Sequence, residues 1–177
     1  MPNKIEIRIG GHGGQGVVLA GRILGKAAIF DGKNVLQTQT YGAEARGSLA
    51  RSEVIISDDR IGFPAVRKCD ILVVMNQESL DKHLQYLKED GMLIVDDTVE
   101  KIPETKVKVF KVPATETAKK IFGDSLFANM VILGALTKIT KIASEESMEK
   151  SIRESVAEKT IEANINAFKK GLQLAQA

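Results

Sequence analysis

An alternating run, Ile5-Glu6-Ile7-Arg8-Ile9, gives way to five glycines within residues 10–16, and a helix pattern of small and apolar residues follows at once. A strand that enters a helix through such a turn leaves backbone N–H groups free at the helix N-terminus, where the macrodipole favours an anion or a carboxylate. Glycine is needed there if φ is positive, or if a ligand or a neighbouring chain must come close to the backbone. The spacing Gly11-x-Gly13-x-x-Gly16 also satisfies the dinucleotide-binding fingerprint. The rest of the chain argues against that use.

Strand signals recur between helical ones along the 177 residues, the pattern of an α/β domain with a largely parallel sheet. Strands are expected over residues 4–9, 34–38, 52–57, 71–75, 92–95 and 107–112. A helix is expected from Gln15 to Phe30, with Gly21 and Gly25 letting it lie very close to a partner, and Asp31-Gly32 stopping it. Residues 71–75 are apolar throughout, as a central strand buried on both faces should be. Asn76 suits an N-cap and Glu78 the first turn of a helix whose face is Leu80, Leu84 and Leu87, ending at Asp90-Gly91. Beyond Pro113 the pattern is helical, with breaks near residues 123–124 and 142–144, and with Ile161, Ile165, Phe168 and Leu172 on the inner face of the last helix. No repeat or linker interrupts it, so residues 1–177 are expected to form one Rossmann-like three-layer domain with a mostly parallel sheet and a helical C-terminal part.

A net charge of +2, with lysines and acids interspersed, gives no reason to expect nucleic acid or a membrane surface as partner. No apolar run approaches the roughly 20 residues that span a bilayer. Residues 1–4 lead straight into a strand pattern without a signal-peptide core, so the cytoplasm is the expected compartment. The single cysteine, Cys69, cannot form an internal disulfide, complete a zinc site or ligate an iron–sulfur cluster alone. Beside the apolar run 71–75 it reads as a buried, inert thiol. His12 and His83 are the only histidines, and His83, in a lysine-rich helix pattern, is expected on a solvated face.

Several segments carry candidate chemistry. A nicotinamide site needs an acidic residue closing the second strand, and here that strand ends Leu36-Gln37-Thr38-Gln39-Thr40. A phosphate-binding P-loop would need Gly-Lys-Ser/Thr, whereas Gly16 is followed by Val17-Val18. Residues 39–48 should emerge at the same carboxyl edge as the glycine loop. There Arg46 and Arg51 could clamp a carboxylate or phosphate, unless Glu44 and Arg46 simply pair on a solvated loop. Pro113 and the Thr115 hydroxyl are expected to initiate a helix, with Glu116 in its first turn. The helix through Asn129–Leu136 is apolar nearly all round, so it is either central core or covered by another chain; coverage by a partner is the expectation.

Four of these segments together resemble the gamma-subunit family of 2-oxoacid:ferredoxin oxidoreductases: Gly10-Gly11-His12-Gly13-Gly14-Gln15-Gly16, Thr40-Tyr41-Gly42-Ala43-Glu44-Ala45-Arg46-Gly47, Pro113-Ala114-Thr115 and Asn129-Met130-Val131-x-Leu133-Gly134-Ala135. They occur in the family's order and spacing and cover nearly the whole chain. Ala43 and Ser48 stand where family members typically have proline and a second glycine. The stretch Gln37-Thr38-Gln39-Thr40-Tyr41-Gly42 looks most like the 2-oxoglutarate type.

The resemblance implies oxidative decarboxylation of a 2-oxoacid to an acyl-coenzyme A, with electrons passed to ferredoxin. Thiamine diphosphate with magnesium and iron–sulfur clusters would sit on partner subunits, because this chain lacks a Gly-Asp-Gly motif and has one cysteine. Alpha, beta and usually delta chains are the implied partners. The candidate ligand or interface residues are Gly11, His12, Gly13, Gly14, Gln15, Gly16, Thr40, Tyr41, Gly42, Glu44, Arg46, Gly47 and Asn129; no catalytic residue is assigned to this chain. Two other readings stand beside this one: a stand-alone nucleotide-binding protein using the same glycine loop, and a non-catalytic assembly subunit.

Overall fold

Alternate residues of a strand point to opposite faces, and in the first strand the two faces differ sharply in character. The computed structural model describes residues 3–43 and 47–175. In it β1 (Lys4–His12) commits Ile7 and Ile9 to the main apolar core, while Arg8 and Gly10 belong to the opposite face. The remaining strands are β2 (Asn34–Tyr41), β3 (Leu49–Ser57), β4 (Cys69–Val74), β5 (Leu87–Asp96) and β6 (Lys108–Val112), in the order β2-β3-β1-β4-β5-β6. Only β3 runs against its neighbours. Residues 42–48 are too few for a crossover, so β2 and β3 must form an antiparallel pair. The other five strands point the same way.

Five helices lie with the apolar face: α1 (Val17–Phe30), α3 (Ala114–Phe122), α4 (Ala128–Thr140), α5 (Glu145–Ser155) and α6 (Ile161–Leu174). On the other face α2 (Gln77–His83) places Leu80 in a smaller cluster with Cys69, Leu72 and Leu93. The domain is therefore a three-layer α/β arrangement with most of its helices on one side. Gly21 of α1 faces Ser52 so closely that a Cβ there would stand under 3.0 Å from the serine side chain, which accounts for the small residue. Among the described residues no helix is long and apolar enough to cross a membrane.

Three expectations need correction. The helix expected to run on to Asp90-Gly91 stops at His83; a single 3-10 turn (Leu84–Tyr86) follows, and Leu87 already pairs with Cys69 as a strand residue. Gly91 lies inside β5, where a Cβ would come closer than 3.0 Å to the carbonyls of Lys88 and Asp70, so it marks a close backbone approach within the sheet. The apolar helix α4 is covered by this chain itself. Phe168 and Leu172 of α6 share its core, and Gly134 and Gly171 let the two backbones touch. Gly10 and Gly11 belong to β1, so the glycine turn proper is residues 13–16. Cys69 conforms to expectation: it is buried, and burial pushes its thiol up to about 11.

Candidate functional site

The carboxyl ends of β1 and β2 lie on the same edge because β3 returns between them. The two loops they lead into touch. The Gly13 N–H donates to the Ser48 carbonyl at 2.8 Å, and the Gly42 N–H donates to the Leu49 carbonyl at 2.8 Å. Gly14 and Gly16 adopt left-handed conformations, φ 93° and 73°, and Gly47 does the same across the gap at φ 67°. Gly13 and Gly14 are exposed, and Tyr41, at the end of β2 on the same edge, is 59% exposed. In an open α/β sheet the crevice beyond the carboxyl ends, where the strand order reverses, is the usual ligand position; β1 is the strand at that reversal.

Gln15 organises the first loop. Its side-chain oxygen accepts the His12 N–H at 2.7 Å and an Asn76 amide hydrogen at 3.3 Å, and its amide donates to the Met75 carbonyl at 3.0 Å. The Thr98 hydroxyl lies 2.8 Å from that same carbonyl and 2.8 Å from Asp96 Oδ2. Asp96 in turn accepts the Thr115 N–H at 2.8 Å and the Thr115 hydroxyl at 2.6 Å. A chain of polar contacts thus crosses the whole carboxyl edge from β1 to the start of α3. The expected role of the Thr115 hydroxyl in initiating α3 is corrected here, because it faces Asp96 and the N-cap position, Pro113, offers no side-chain bond. Asp97 completes the cap, accepting from the N–H groups of Thr115 and Glu116. Burial, then the hydrogen bond and charge of Asp96, raise its carboxyl above the ordinary value.

Asn129 and Gly11 act from beneath the loop. Asn129 is 3% exposed and donates to the Gly16 carbonyl at 3.3 Å, and a Cβ on Gly16 would overlap its amide. Gly11 is buried against Gln15 and Val17. Thr40, Tyr41, Gly42 and Gly47 border the second loop; Glu44 and Arg46 lie outside the described residues. Arg51, paired in the sequence with Arg46, is a residue of β3 and not of the loop.

His83 is corrected from a solvated residue to one 2% exposed, seated with Ser79 over Gly10. Burial, followed by the charges of Arg8, Arg51 and Lys82, pushes its imidazole down to about 4, so it is neutral at physiological pH. Below it, Arg8 is 3% exposed and ion-paired with Glu53 at 2.6 Å, and Arg51 stands 3.4 Å from the same carboxylate. Reading the chain in sequence missed this cluster. The available signal was the i, i+4 pair Ser79 and His83 opposite a strand glycine.

Among the described residues no three His, Cys, Asp or Glu side chains converge as donors for a metal ion or cluster. One buried thiol held as S–H does not suit a four-iron cluster.

The sequence profile of the family described as pyruvate ferredoxin/flavodoxin oxidoreductase matches residues 6–174. The chain is 49% identical over 175 residues to 2-oxoglutarate synthase subunit KorC of Methanocaldococcus jannaschii, covering 97% of this chain and 94% of that one. Among solved structures, the keto/oxoacid ferredoxin oxidoreductase gamma subunit from Geobacter sulfurreducens PCA superposes with a TM-score of 0.86 at 42% identity, over 97% of this chain and 98% of that one. A 2-oxoglutarate:ferredoxin oxidoreductase from Magnetococcus marinus, with 2-oxoglutarate, coenzyme A and succinyl-CoA bound, gives a TM-score of 0.90 at 25% identity, over 99% of this chain and 32% of that longer one.

Proposed function

This chain belongs to the pyruvate ferredoxin/flavodoxin oxidoreductase family, and from that membership we propose that its two joined loops form one wall of the cleft in which a 2-oxoacid and coenzyme A meet. It is a gamma subunit of a 2-oxoacid:ferredoxin oxidoreductase, active as one part of that enzyme, and relatives at 46–49% identity carry the name 2-oxoglutarate synthase. The assigned reaction is oxidative decarboxylation of 2-oxoglutarate to an acyl-coenzyme A, with electrons leaving to ferredoxin.

Thiamine diphosphate with magnesium would stabilise the carbanion in that reaction and iron–sulfur clusters would carry the electrons. Among the described residues no set of donors suits a cluster, and the sequence has no Gly-Asp-Gly motif, so both are assigned to alpha, beta and delta partners. The contribution of this chain is shape and backbone donors. Gly13 and Gly14 expose backbone with no side chain in the way, and Tyr41 offers a large amphipathic surface at the end of β2 on the same edge. The single observation supporting the reading is the Gly13-to-Ser48 hydrogen bond, which fixes both loops as one surface at the strand-order reversal. Residues 1–177 act as one catalytic-type domain in this reading.

The test is kinetic and uses the reconstituted complex. Tyr41→Ala and Arg46→Ala should each raise KM for coenzyme A or 2-oxoglutarate by about 10-fold, the cost of one contact residue. Unchanged assembly with unchanged KM values would overturn the assignment. Loss of assembly without a selective kinetic change would instead make these loops an assembly surface.

A further inference from the structure

β2 ends the sheet, so one of its two sides has no neighbouring strand. The Gly42 N–H bonds the Leu49 carbonyl, and bonding alternates along an antiparallel pair, so the backbone groups of Leu36, Thr38 and Thr40 face β3. Those of Val35, Gln37 and Gln39 point outward, and among the described residues their N–H groups make no hydrogen bond. We infer that this edge pairs with the same edge of a second copy of the chain. β2 would lie against β2 about a two-fold axis perpendicular to the sheet, joining two six-stranded sheets into one.

The first support is the contrast between the two edges of the sheet. Proteins guard an open edge by shortening it, charging it, or placing proline or a bulge in it. β6, the opposite edge, has five residues and carries Lys108 and Lys111. β2 has eight residues with no charge and no proline, and its register with β3 is unbroken from Asn34–Ser57 to Tyr41–Ala50. Its outward donors and acceptors therefore stand in a straight, undefended row.

The second is that the strand suits itself. A two-fold of this kind keeps α1 on one side of the joined sheet, so odd-numbered residues must oppose odd-numbered ones. Centred on Gln37, the pairing sets Val35 against Gln39, Gln37 against Gln37, and Leu36 against Thr38. No like charges are opposed. Tyr41, assigned above to the cleft, stays beyond the paired stretch.

The third is the groove beside the strand. A cavity of about 300 Å³ runs between α1 and β2, bordered by Gly25, Ile29, Val35 and Gln37 with Arg22 and Glu154 at its rim. The α1-facing side chains of an added strand come down over this groove and cover Ile29, which is 57% exposed. Glu154 pairs with Lys26 at 2.6 Å, while Arg22 has no ion pair among the described residues. A two-fold reverses the order of these charges and brings Arg22 of one copy toward Glu154 of the other, which favours a second copy over an arbitrary strand.

The full chain alone suffices for the test. Sedimentation over a dilution series should show a reversible monomer–dimer equilibrium. Amide exchange followed by NMR should slow at Val35, Gln37 and Gln39 as concentration rises. The amides of Leu36 and Thr38, bonded to β3, should stay protected throughout and so report the fold. Gln39→Pro removes an outward N–H without breaking a bond to β3, and should raise the dimer dissociation constant about 10-fold or more. Gln39→Lys should weaken the dimer by restoring an edge guard, and Gln39→Ala, which keeps the N–H, should leave it close to the parent. A monomer at every concentration would overturn the proposal and leave the edge to a different subunit. A dimer undiminished in both Gln39→Pro and Gln39→Lys, with Leu36 and Thr38 still protected, would overturn it in favour of another surface.

Discussion

The side-chain amide of Gln15 donates to the main-chain carbonyl of Met75, 3.0 Å away and 60 residues on in sequence. With the His12 N–H and the Asn76 amide on its oxygen, this one side chain ties the glycine turn to the end of β4 and the start of α2. Gln15→Ala removes all three bonds and leaves the His12 N–H without its acceptor. Net hydrogen bonds of this kind are worth about 1 kcal/mol each, so urea denaturation should show a loss of about 1–3 kcal/mol. Amide exchange at His12 and Gly13 should quicken. A variant within about 0.5 kcal/mol of the parent would show that glycine geometry alone holds the turn.

Glu53 has two arginines to serve. It pairs with Arg8 at 2.6 Å within the sheet, and Arg8 also donates to the Val66 carbonyl at 3.2 Å and lies over the Tyr86 ring at 4.7 Å. Removing one partner of a buried pair strands a charge that cannot reach water. Glu53→Ala should therefore cost about 3–5 kcal/mol, and the double change Arg8→Met with Glu53→Leu should recover most of it. Equal destabilisation by the single and double changes would show that packing, and not the stranded charge, sets the cost.

How much of this could be read from residue order varies from element to element. The strand–glycine–helix start was legible because β1 alternates and because φ 93° and 73° at residues 14 and 16 strongly favour glycine. The meeting of the two loops followed from parallel strands sharing an edge, though the sequence did not reveal that β3 would come between them. The length of α2 was illegible: Leu84 and Leu87 continue a helical spacing, and only pairing with β4 converts Leu87 to strand. His83 was misread because its neighbours Asp81 and Lys82 are charged, while the room for its ring is made by Gly10, more than seventy residues earlier. The cap of α3 was out of reach for the same reason. Its carboxylates, Asp96 at the end of β5 and Asp97 just after it, lie 19 and 18 residues upstream of Thr115. In each case the deciding partner is distant in sequence.

The contact between α4 and α6 is made by backbone. A Cβ on Gly171 would come closer than 3.0 Å to the Val131 carbonyl, and one on Gly134 equally close to that of Phe168. Alanine in a helix ordinarily gains up to about 1 kcal/mol over glycine. Here forced separation of two packed helices outweighs that gain, and Gly171→Ala should lower stability by about 1–3 kcal/mol in thermal or urea unfolding. An unchanged or raised midpoint would mean that the helices part at no cost.

Asp31 ends α1 and reaches across to the start of α5, accepting from the Ser144 N–H at 2.6 Å, the Ser144 hydroxyl at 2.7 Å and the Ser147 hydroxyl at 2.6 Å. Burial alone would raise its carboxyl, but the Ser147 and Ser144 bonds, with the Lys33 charge, together hold it below the ordinary 3.8. A carboxylate whose folded pKa is depressed contributes stability that is complete above the unfolded value and disappears as pH falls through the folded one. Stability should therefore decline below about pH 4, and Asp31→Asn should be less stable than the parent at pH 7 with a flatter acid limb. Asp97 carries the opposite sign. Its raised pKa means that the folded state holds the proton more tightly, so ionised Asp97 opposes folding at neutral pH and that opposition is relieved on acidification. Asp97→Asn keeps an oxygen for the Thr115 and Glu116 N–H groups while removing the charge beside Asp96. It should match or exceed the parent at pH 7 and show a steeper net acid loss, because the compensating gain is gone. Parallel acid limbs for the two variants would show that neither carboxylate titrates differently in the folded and unfolded states.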